Sequence, residues 1–168
     1  HKESIGEWVE EVGGVIDRDS YPIPTVNYVL IKRDKKDKAS QVIGINVDGP
    51  GWTTQYKEVW AKRGGQKGSL RDKKVVILGG WGGLGKALVL TILREHPARM
   101  TIGEQPDRLD EVREESRHLV GKLRDHEKDQ TLPDVVVVPA FQRNDPNRDH
   151  PMLLSALKEA DVIINATG

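Results

Sequence analysis

The densest chemical signal in this chain is Gly79-Gly80-Trp81-Gly82-Gly83-Leu84-Gly85, in which Gly80, Gly82 and Gly85 fit the spacing G-x-G-x-x-G. The apolar run Val75-Val76-Ile77-Leu78 precedes it and Lys86-Ala87-Leu88-Val89-Leu90-Thr91-Ile92-Leu93 follows, so the order is strand, glycine turn, helix. Such a turn presents bare backbone amides at a helix N-terminus, where the helix dipole also favours negative charge, and it can hold a diphosphate. Each glycine then has one task. Gly80 permits the tight turn, Gly82 lets the backbone approach the diphosphate, and Gly85 lets the helix pack on the strand. Trp81, Gly83 and Leu84 complete the loop, and Trp81 either lies over the ligand or crowds it. Glu104 ends the next strand, 19 positions after Gly85, close to the usual spacing of about 20. A carboxylate there accepts hydrogen bonds from ribose hydroxyls and repels a 2′-phosphate. That favours NAD over NADP, although Arg108 nearby partly offsets the preference and keeps NADP open.

Two rival readings of the turn remain. Gly80 to Lys86 also matches the P-loop pattern G-x-x-x-x-G-K, but Ala87 stands where Ser or Thr would bind Mg²⁺. The strand 134–138 is closed by Pro139 rather than by an acidic residue. The other rival is a glycine turn that binds nothing. Elsewhere the residues are less pointed. His96, His118, His126 and His150 lie among charged residues, and no pair has metal-ligand spacing on a helix, so no metal site is expected. His1 is a terminal histidine that could line a cleft. Asn165 and Thr167 close an apolar strand, where open α/β sheets bind ligands; capping and turn formation is their plainer role.

The elements that must position these residues follow from the pattern. Residues 3–12 read as a short helix, 26–31 and 41–45 as strands joined by a charged turn over 32–38, and 52–63 as a helix with Trp52, Tyr56, Val59 and Trp60 on one face. The Trp52/Trp60 stripe is expected in the core. Pro50-Gly51 reads as a break and 64–72 as a linker. From Lys73 onward strands and helices alternate: strand 74–78, helix 84–95, strand 99–103, a helix striped by Leu109, Val112, Ser116, Leu119 and Leu123, strand 134–138, helix 153–159 and strand 161–165. Successive βαβ units predict an α/β fold with a doubly wound, Rossmann-like parallel sheet.

Composition excludes several classes. Lys+Arg 26 balances Asp+Glu 26, so no net charge steers the chain to nucleic acid or membrane. With no Cys there is no disulfide framework, thiolate metal site or Cys nucleophile. No run is long enough to span a bilayer and no signal peptide is visible, so a cytoplasmic protein is the default. The chain begins without Met and stops at Gly168 just past a strand, which reads as the interior of a longer polypeptide.

Five segments, in order, resemble the shikimate/quinate dehydrogenase family. They are His1-Lys2-Glu3, Thr25-Val26-Asn27-Tyr28, Gly44-Ile45-Asn46-Val47-Asp48-Gly49-Pro50-Gly51, the loop Gly80 to Lys86, and Asp161-Val162-Ile163-Ile164-Asn165-Ala166-Thr167. The resemblance implies an enzyme that moves a hydride between a nicotinamide and a ring C–OH of shikimate, quinate or a similar polyol acid. It makes 1–63 the C-terminal part of a smaller α/β substrate domain with its connecting helix, 64–72 the linker, and 73–168 an incomplete dinucleotide-binding domain. It maps the catalytic lysine to Lys2, its aspartate partner to Asp48 and substrate binding to Asn27 and Asn46. Taken alone, Lys2 reads as a solvated terminal lysine, Asp48 as a turn aspartate and Asn27 as a strand-edge polar group.

Several positions depart from the family pattern. Val47 replaces a threonine and Tyr28 another, Glu104-Gln105 replaces an NADP-reading Asn–Arg pair, and the stretch from Gln130 to Asp149 is longer than the family's. The upstream Ser-x-Ser and the downstream tyrosine and glutamine are missing, so the piece alone is expected to be inactive. The chemistry implied is oxidation of a secondary alcohol, with Lys2 receiving the hydroxyl proton and Asp48 orienting it. The alternatives are a non-catalytic, ligand-sensing relative, motivated by Tyr28, Val47 and Trp81, and a P-loop NTPase. The expected partner is a small-molecule substrate, and a homodimer is left open.

Overall fold

The computed structural model describes residues 2–18, 20–22, 25–36, 39–62, 68–140 and 150–167. His1, residues 64–67 of the linker, residues 141–149 of the Gln130–Asp149 stretch and the side chain of Lys2 lie outside the described part. The N-terminal lobe holds α1 (Lys2–Glu11), β1 (Val15–Ile16), β2 (Tyr28–Arg33) and β3 (Ala39–Ile45), and α2 (Asp48–Lys62) leads out of it. β3 is central, parallel to β1 and antiparallel to β2. Val9 of α1 and Val26 are fully buried and meet over Gly44. Tyr28, Leu30 and Ile31 of β2 remain exposed.

The second lobe alternates strand and helix: β4 (Lys74–Leu78), α3 (Gly83–Leu93), β5 (Arg99–Glu104), a 3-10 turn (Pro106–Arg108), α4 (Leu109–Glu127), β6 (Val135–Pro139), α5 (Pro151–Glu159) and β7 (Val162–Asn165). Its four strands are all parallel in the order β6-β5-β4-β7. The chain winds outward from β4 to β6, then returns to place β7 on the other side of β4. The reversal of winding therefore lies between β4 and β7, where the carboxyl ends of the strands open a crevice. Val75, Val76 and Ile77 are buried, as a strand covered on both faces requires. α3 buries Ala87, Leu88, Val89, Leu90, Ile92 and Leu93 almost completely. α4 buries Val112, Ser116, Leu119, Val120 and Leu123. It ends at Lys128, held at φ 53 with its N–H donating to the Arg124 carbonyl.

Two sequence expectations shift, and one short element goes unread in the sequence. Pro50-Gly51 is not a break: α2 starts at Asp48 and takes both into its first turn, where a missing N–H costs no hydrogen bond. The two-residue β1 carries too little pattern to read. Trp60 is not core: it is exposed at 44%, whereas Trp52 packs against the core and Tyr56 stacks between the two.

Candidate functional site

The glycine turn lies at the carboxyl end of β4, on the crevice side. Gly79 has φ +69, and a Cβ on it would stand 2.7 Å from the Thr167 methyl, so the turn and the end of β7 touch. A Cβ on Gly80 would lie 2.9 Å from Ile102 Cγ2, and one on Gly85 would lie 2.4 Å from the Gly80 carbonyl carbon. Both glycines are therefore demanded by packing. Gly82 differs: among the described residues a Cβ there meets nothing within 4 Å, and its φ of −78 suits any residue. No internal contact explains a glycine at that place. It is the N-cap of α3, no side chain caps it, and α3 has no acidic residue in its first turn. The first N–H groups of a helix lack intrahelical partners, so this end offers donors and open space together.

Around the turn, the structure places Glu104 at the end of β5, 5% exposed, its Oε1 accepting a hydrogen bond from the Gln105 N–H at 3.0 Å. Arg108 sits one turn on, facing Glu111. That hydrogen bond raises its pKa against the lowering by burial, and the charges of Glu111, Glu104 and Glu115 add to the rise. Asn165 Oδ1 accepts from the Thr167 N–H at 3.1 Å and the Thr167 hydroxyl at 2.6 Å, closing a turn directly after β7. Leu84 is exposed on the first turn of α3, beside Gly83.

Trp81 behaves otherwise than expected. It is 2% exposed and belongs to the core with Leu88 and Leu119, so its ring is not displayed on the surface of the turn. Its Nε1 donates to Glu115 on α4. Lys86 Nζ pairs with the same carboxylate at 3.2 Å and stands 5.8 Å from the Trp81 ring centroid. Burial pushes the Glu115 carboxyl up, but the hydrogen bonds from Trp81 and Lys86 and the charges of Lys86 and Arg108 hold it below the ordinary range. The lysine that a P-loop needs on its phosphates is thus engaged with Glu115.

In the N-terminal lobe, the two candidate asparagines serve one segment. Asn27 Oδ1 accepts from the Val47 N–H at 3.1 Å, and Asn46 Oδ1 from the Asp48 N–H at 2.9 Å. Asn46 is buried, and its Nδ2 donates to the Thr25 carbonyl and to Thr25 Oγ1. Together they fix the start of α2 and with it half-buried Asp48. The next residue, Gly49, packs on α3: a Cβ there would lie 2.7 Å from the Ala87 carbonyl oxygen and 2.1 Å from Thr91 Oγ1. Ala87 is one helical turn, about 6 Å, from Gly83. Thr91 is two turns, about 12 Å, from it, so the start of α2, with Asp48, is held against the middle of α3.

Lys2 opens α1, which turns back through Gly13-Gly14 onto β1, parallel to β3. From Val9, which faces Gly44, to Lys2 is about 10 Å of helix in the direction in which β3 ends. The topology brings the Lys2 backbone toward the end of β3 that leads to Asp48. Among the described residues there is no cluster of metal-ligating side chains, and no helix is long and apolar enough to cross a membrane. A cavity of about 390 Å³ lined by Lys57, Ala61, Gly68, Ser69 and Glu95 lies at the far end of α3 from the glycine turn, so volume does not locate the site.

Sequence reasoning missed Gly49 and Glu115. Gly49 follows a cap-like Asn46-x-Asp48, which signals a helix start. Glu115 carries no local signal, since its partner Trp81 is 34 positions away.

No protein-family model and no curated protein matches the chain. Solved structures do. The ligand-free 5-ketofructose reductase of Gluconobacter sp. strain CHM43 is 23% identical with a TM-score of 0.61, over 99% of this chain and 46% of that one. A chorismate mutase/shikimate 5-dehydrogenase fusion protein from Clostridium acetobutylicum is 19% identical with a TM-score of 0.53, over 95% of this chain and 43% of that one. Dehydroquinate dehydratase and shikimate dehydrogenase from S. pombe is 16% identical with a TM-score of 0.51, over 99% of this chain and 26% of that one. This chain spans less than half the length of each of these structures. It has a shikimate dehydrogenase-like α/β fold, with a Rossmann-like parallel sheet and a smaller mixed sheet beside it.

Proposed function

We propose that this chain is the dinucleotide-binding lobe, with an attached part of the substrate lobe, of an NAD-dependent dehydrogenase acting on a ring secondary alcohol of the shikimate or quinate class. One observation carries the reading: within the glycine turn, no contact among the described residues requires Gly82 to be glycine, and it stands at a helix N-terminus with no side-chain cap, beside the crevice. The group fits there. Backbone amides of Gly82 to Gly85 would hold the diphosphate, with Gly80 and Trp81 shaping the turn, and Glu104 would take the ribose hydroxyls. Asn165 and Thr167 would form the opposite wall of the crevice.

A bound nicotinamide supplies the hydride acceptor. This chain's residues supply the rest. Lys2 would receive the proton from the substrate hydroxyl and Asp48 would orient the ammonium, while Asn27 and Asn46 hold the segment that carries Asp48. The fold shared with a 5-ketofructose reductase and with shikimate dehydrogenases supports a polyol or ring-alcohol substrate.

The test has two steps. NAD is titrated calorimetrically into the protein, and the full-length polypeptide is then assayed with shikimate and quinate against both nicotinamides. Binding followed by reduced cofactor is expected. Absence of NAD binding refutes the dinucleotide reading. Binding without turnover of either substrate supports the ligand-sensing alternative, for which exposed Tyr28 and Val47 beside Asn27 speak.

A further inference from the structure

Trp81 is the oddity of the glycine turn: the largest side chain occupies the position between Gly80 and Gly82. The structure shows what it does. The indole is buried in the core cluster that holds Leu88 and Leu119, and its single donor reaches Glu115. A buried indole N–H without an acceptor costs about 1–3 kcal/mol, so the bond is a real constraint on where Trp81 can sit. The turn itself has almost no other freedom, because Gly80 is pressed against Ile102 and Gly85 against Gly80. Whatever fixes Trp81 therefore fixes the amides on either side of it.

Lys86 adds the second half of the brace. It follows Gly82 by four residues, so it lies on the same helix face, and side chains on a helix lean toward its N-terminus. An unpaired Lys86 would therefore range over the turn. Glu115 instead holds its ammonium at 3.2 Å, beside the Trp81 ring, with only 16% of the side chain exposed. One carboxylate from α4 thus receives one donor from the turn and one from the first turns of α3.

We propose that Glu115 is a positioning residue for dinucleotide binding: by accepting from both Trp81 Nε1 and Lys86 Nζ it sets the orientation of the Gly82–Leu84 amides without touching the ligand. This rests on the dinucleotide reading of the turn. It gives α4 a part in ligand affinity that the G-x-G-x-x-G pattern does not contain, and it explains how a tryptophan is accommodated within that pattern. Glu115→Gln keeps an acceptor for the indole, whereas Glu115→Ala removes it.

The experiment measures NAD and AMP affinity by calorimetry for the wild type, Glu115→Ala, Glu115→Gln and Trp81→Phe, with Tm for each. It also records the indole ¹⁵N–¹H resonances, the Trp81 signal being the one absent from Trp81→Phe. Glu115→Ala is expected to weaken NAD at least tenfold and AMP much less, because AMP does not span the diphosphate seat. Glu115→Gln is expected to recover NAD affinity to within threefold of wild type. The Trp81 indole resonance should move in Glu115→Ala and stay nearly in place in Glu115→Gln. Unchanged NAD affinity in a folded Glu115→Ala overturns the proposal. So does a loss that Glu115→Gln shares in full. If Glu115→Ala does not fold, Trp81→Phe decides: it keeps an aromatic ring in the core while removing the N–H donor together with the pyrrole half of the indole, and NAD affinity equal to wild type overturns the proposal. A wild type that binds no NAD refutes the dinucleotide reading itself, a result distinct from any of these.

Discussion

Two alanine substitutions two residues from being neighbours should do opposite things. A methyl at position 85 would be built 2.4 Å from the Gly80 carbonyl carbon, 2.5 Å from its oxygen and 2.7 Å from its Cα. Carbon pairs in contact rest at about 3.5–4.0 Å, so the turn and α3 must separate by roughly 1 Å. Overpacking of this kind costs about 1–3 kcal/mol, and the clash is with backbone, which yields least. The better helix propensity of alanine returns at most about 1 kcal/mol. For a chain of this size 1 kcal/mol shifts Tm by about 2–4 °C, so Gly85→Ala should lower Tm by roughly 5 °C. A methyl at position 82 meets nothing within 4 Å, and φ −78 with ψ 177 suits alanine. Alanine is a poorer N-cap than glycine, but it also reduces unfolded-state entropy by about 0.4–1 kcal/mol, so stability should hardly change. On the proposed function, the same methyl would fill the space through which a diphosphate reaches the amides. Losing even one hydrogen bond to a charged oxygen costs about 1.5–3 kcal/mol, which is tenfold or more in Kd. Thermal melts and NAD titration of the two variants give the assay. Gly82→Ala with unchanged Tm and unchanged NAD affinity refutes the reasoning, as does a Gly85→Ala protein as stable as wild type.

Other outcomes follow from the same geometry. Glu104→Ala should narrow the preference for NAD over NADP by relieving repulsion of the 2′-phosphate; an unchanged affinity ratio rejects the ribose role. Gly49→Ala should destabilise the protein by about 1–3 kcal/mol and lower turnover, because its methyl drives the start of α2, and Asp48 with it, off Ala87 and Thr91. Glu127, which receives hydrogen bonds from Arg18 and from Arg94 Nε at 3.0 Å, has its pKa lowered, first by the Arg18 bond, against burial, and then by Arg94. A depressed carboxylate stabilises the folded state above its unfolded value of about 4.3, and that contribution is lost as pH falls through the lower folded value. Glu127→Gln should therefore flatten the stability curve on the acid side of pH 4–5 and leave its shape above pH 6 alone, as read by chemical denaturation across pH. Lys128→Gly should raise stability by about 0.5–1 kcal/mol, since Lys128 closes α4 at φ 53.

What could be read from the sequence was whatever is encoded locally. The strand, turn and helix around Gly80 show themselves because the apolar run, the glycines and the helix-forming residues are consecutive. Glu104 shows itself because parallel strands fix the distance along the chain from one carboxyl end to the next. The alternation after Lys73 predicts a parallel sheet because each strand must be covered on both faces. The illegible parts depend on distant partners. Pro50-Gly51 resembles a break until Asn46 caps the helix from one side and α3 receives Gly49 on the other. Trp81 resembles a lid until α4 supplies an acceptor for its indole. Trp60 shares a face with Trp52, but α2 outruns the core that covers its beginning, and the far tryptophan is left at the surface. The roles of Lys2, Asn27 and Asp48 came from resemblance, because three residues so far apart in sequence share no periodicity.

The most direct test is a crystal structure of the protein with NAD bound. The expected result has diphosphate oxygens within about 2.7–3.2 Å of backbone nitrogens in the Gly82–Gly85 turn, Glu104 on the ribose, and Lys2 Nζ beside the Asp48 carboxylate on the nicotinamide side of the crevice. A dinucleotide seated away from that turn, or Lys2 and Asp48 directed into separate regions of the molecule, contradicts the account.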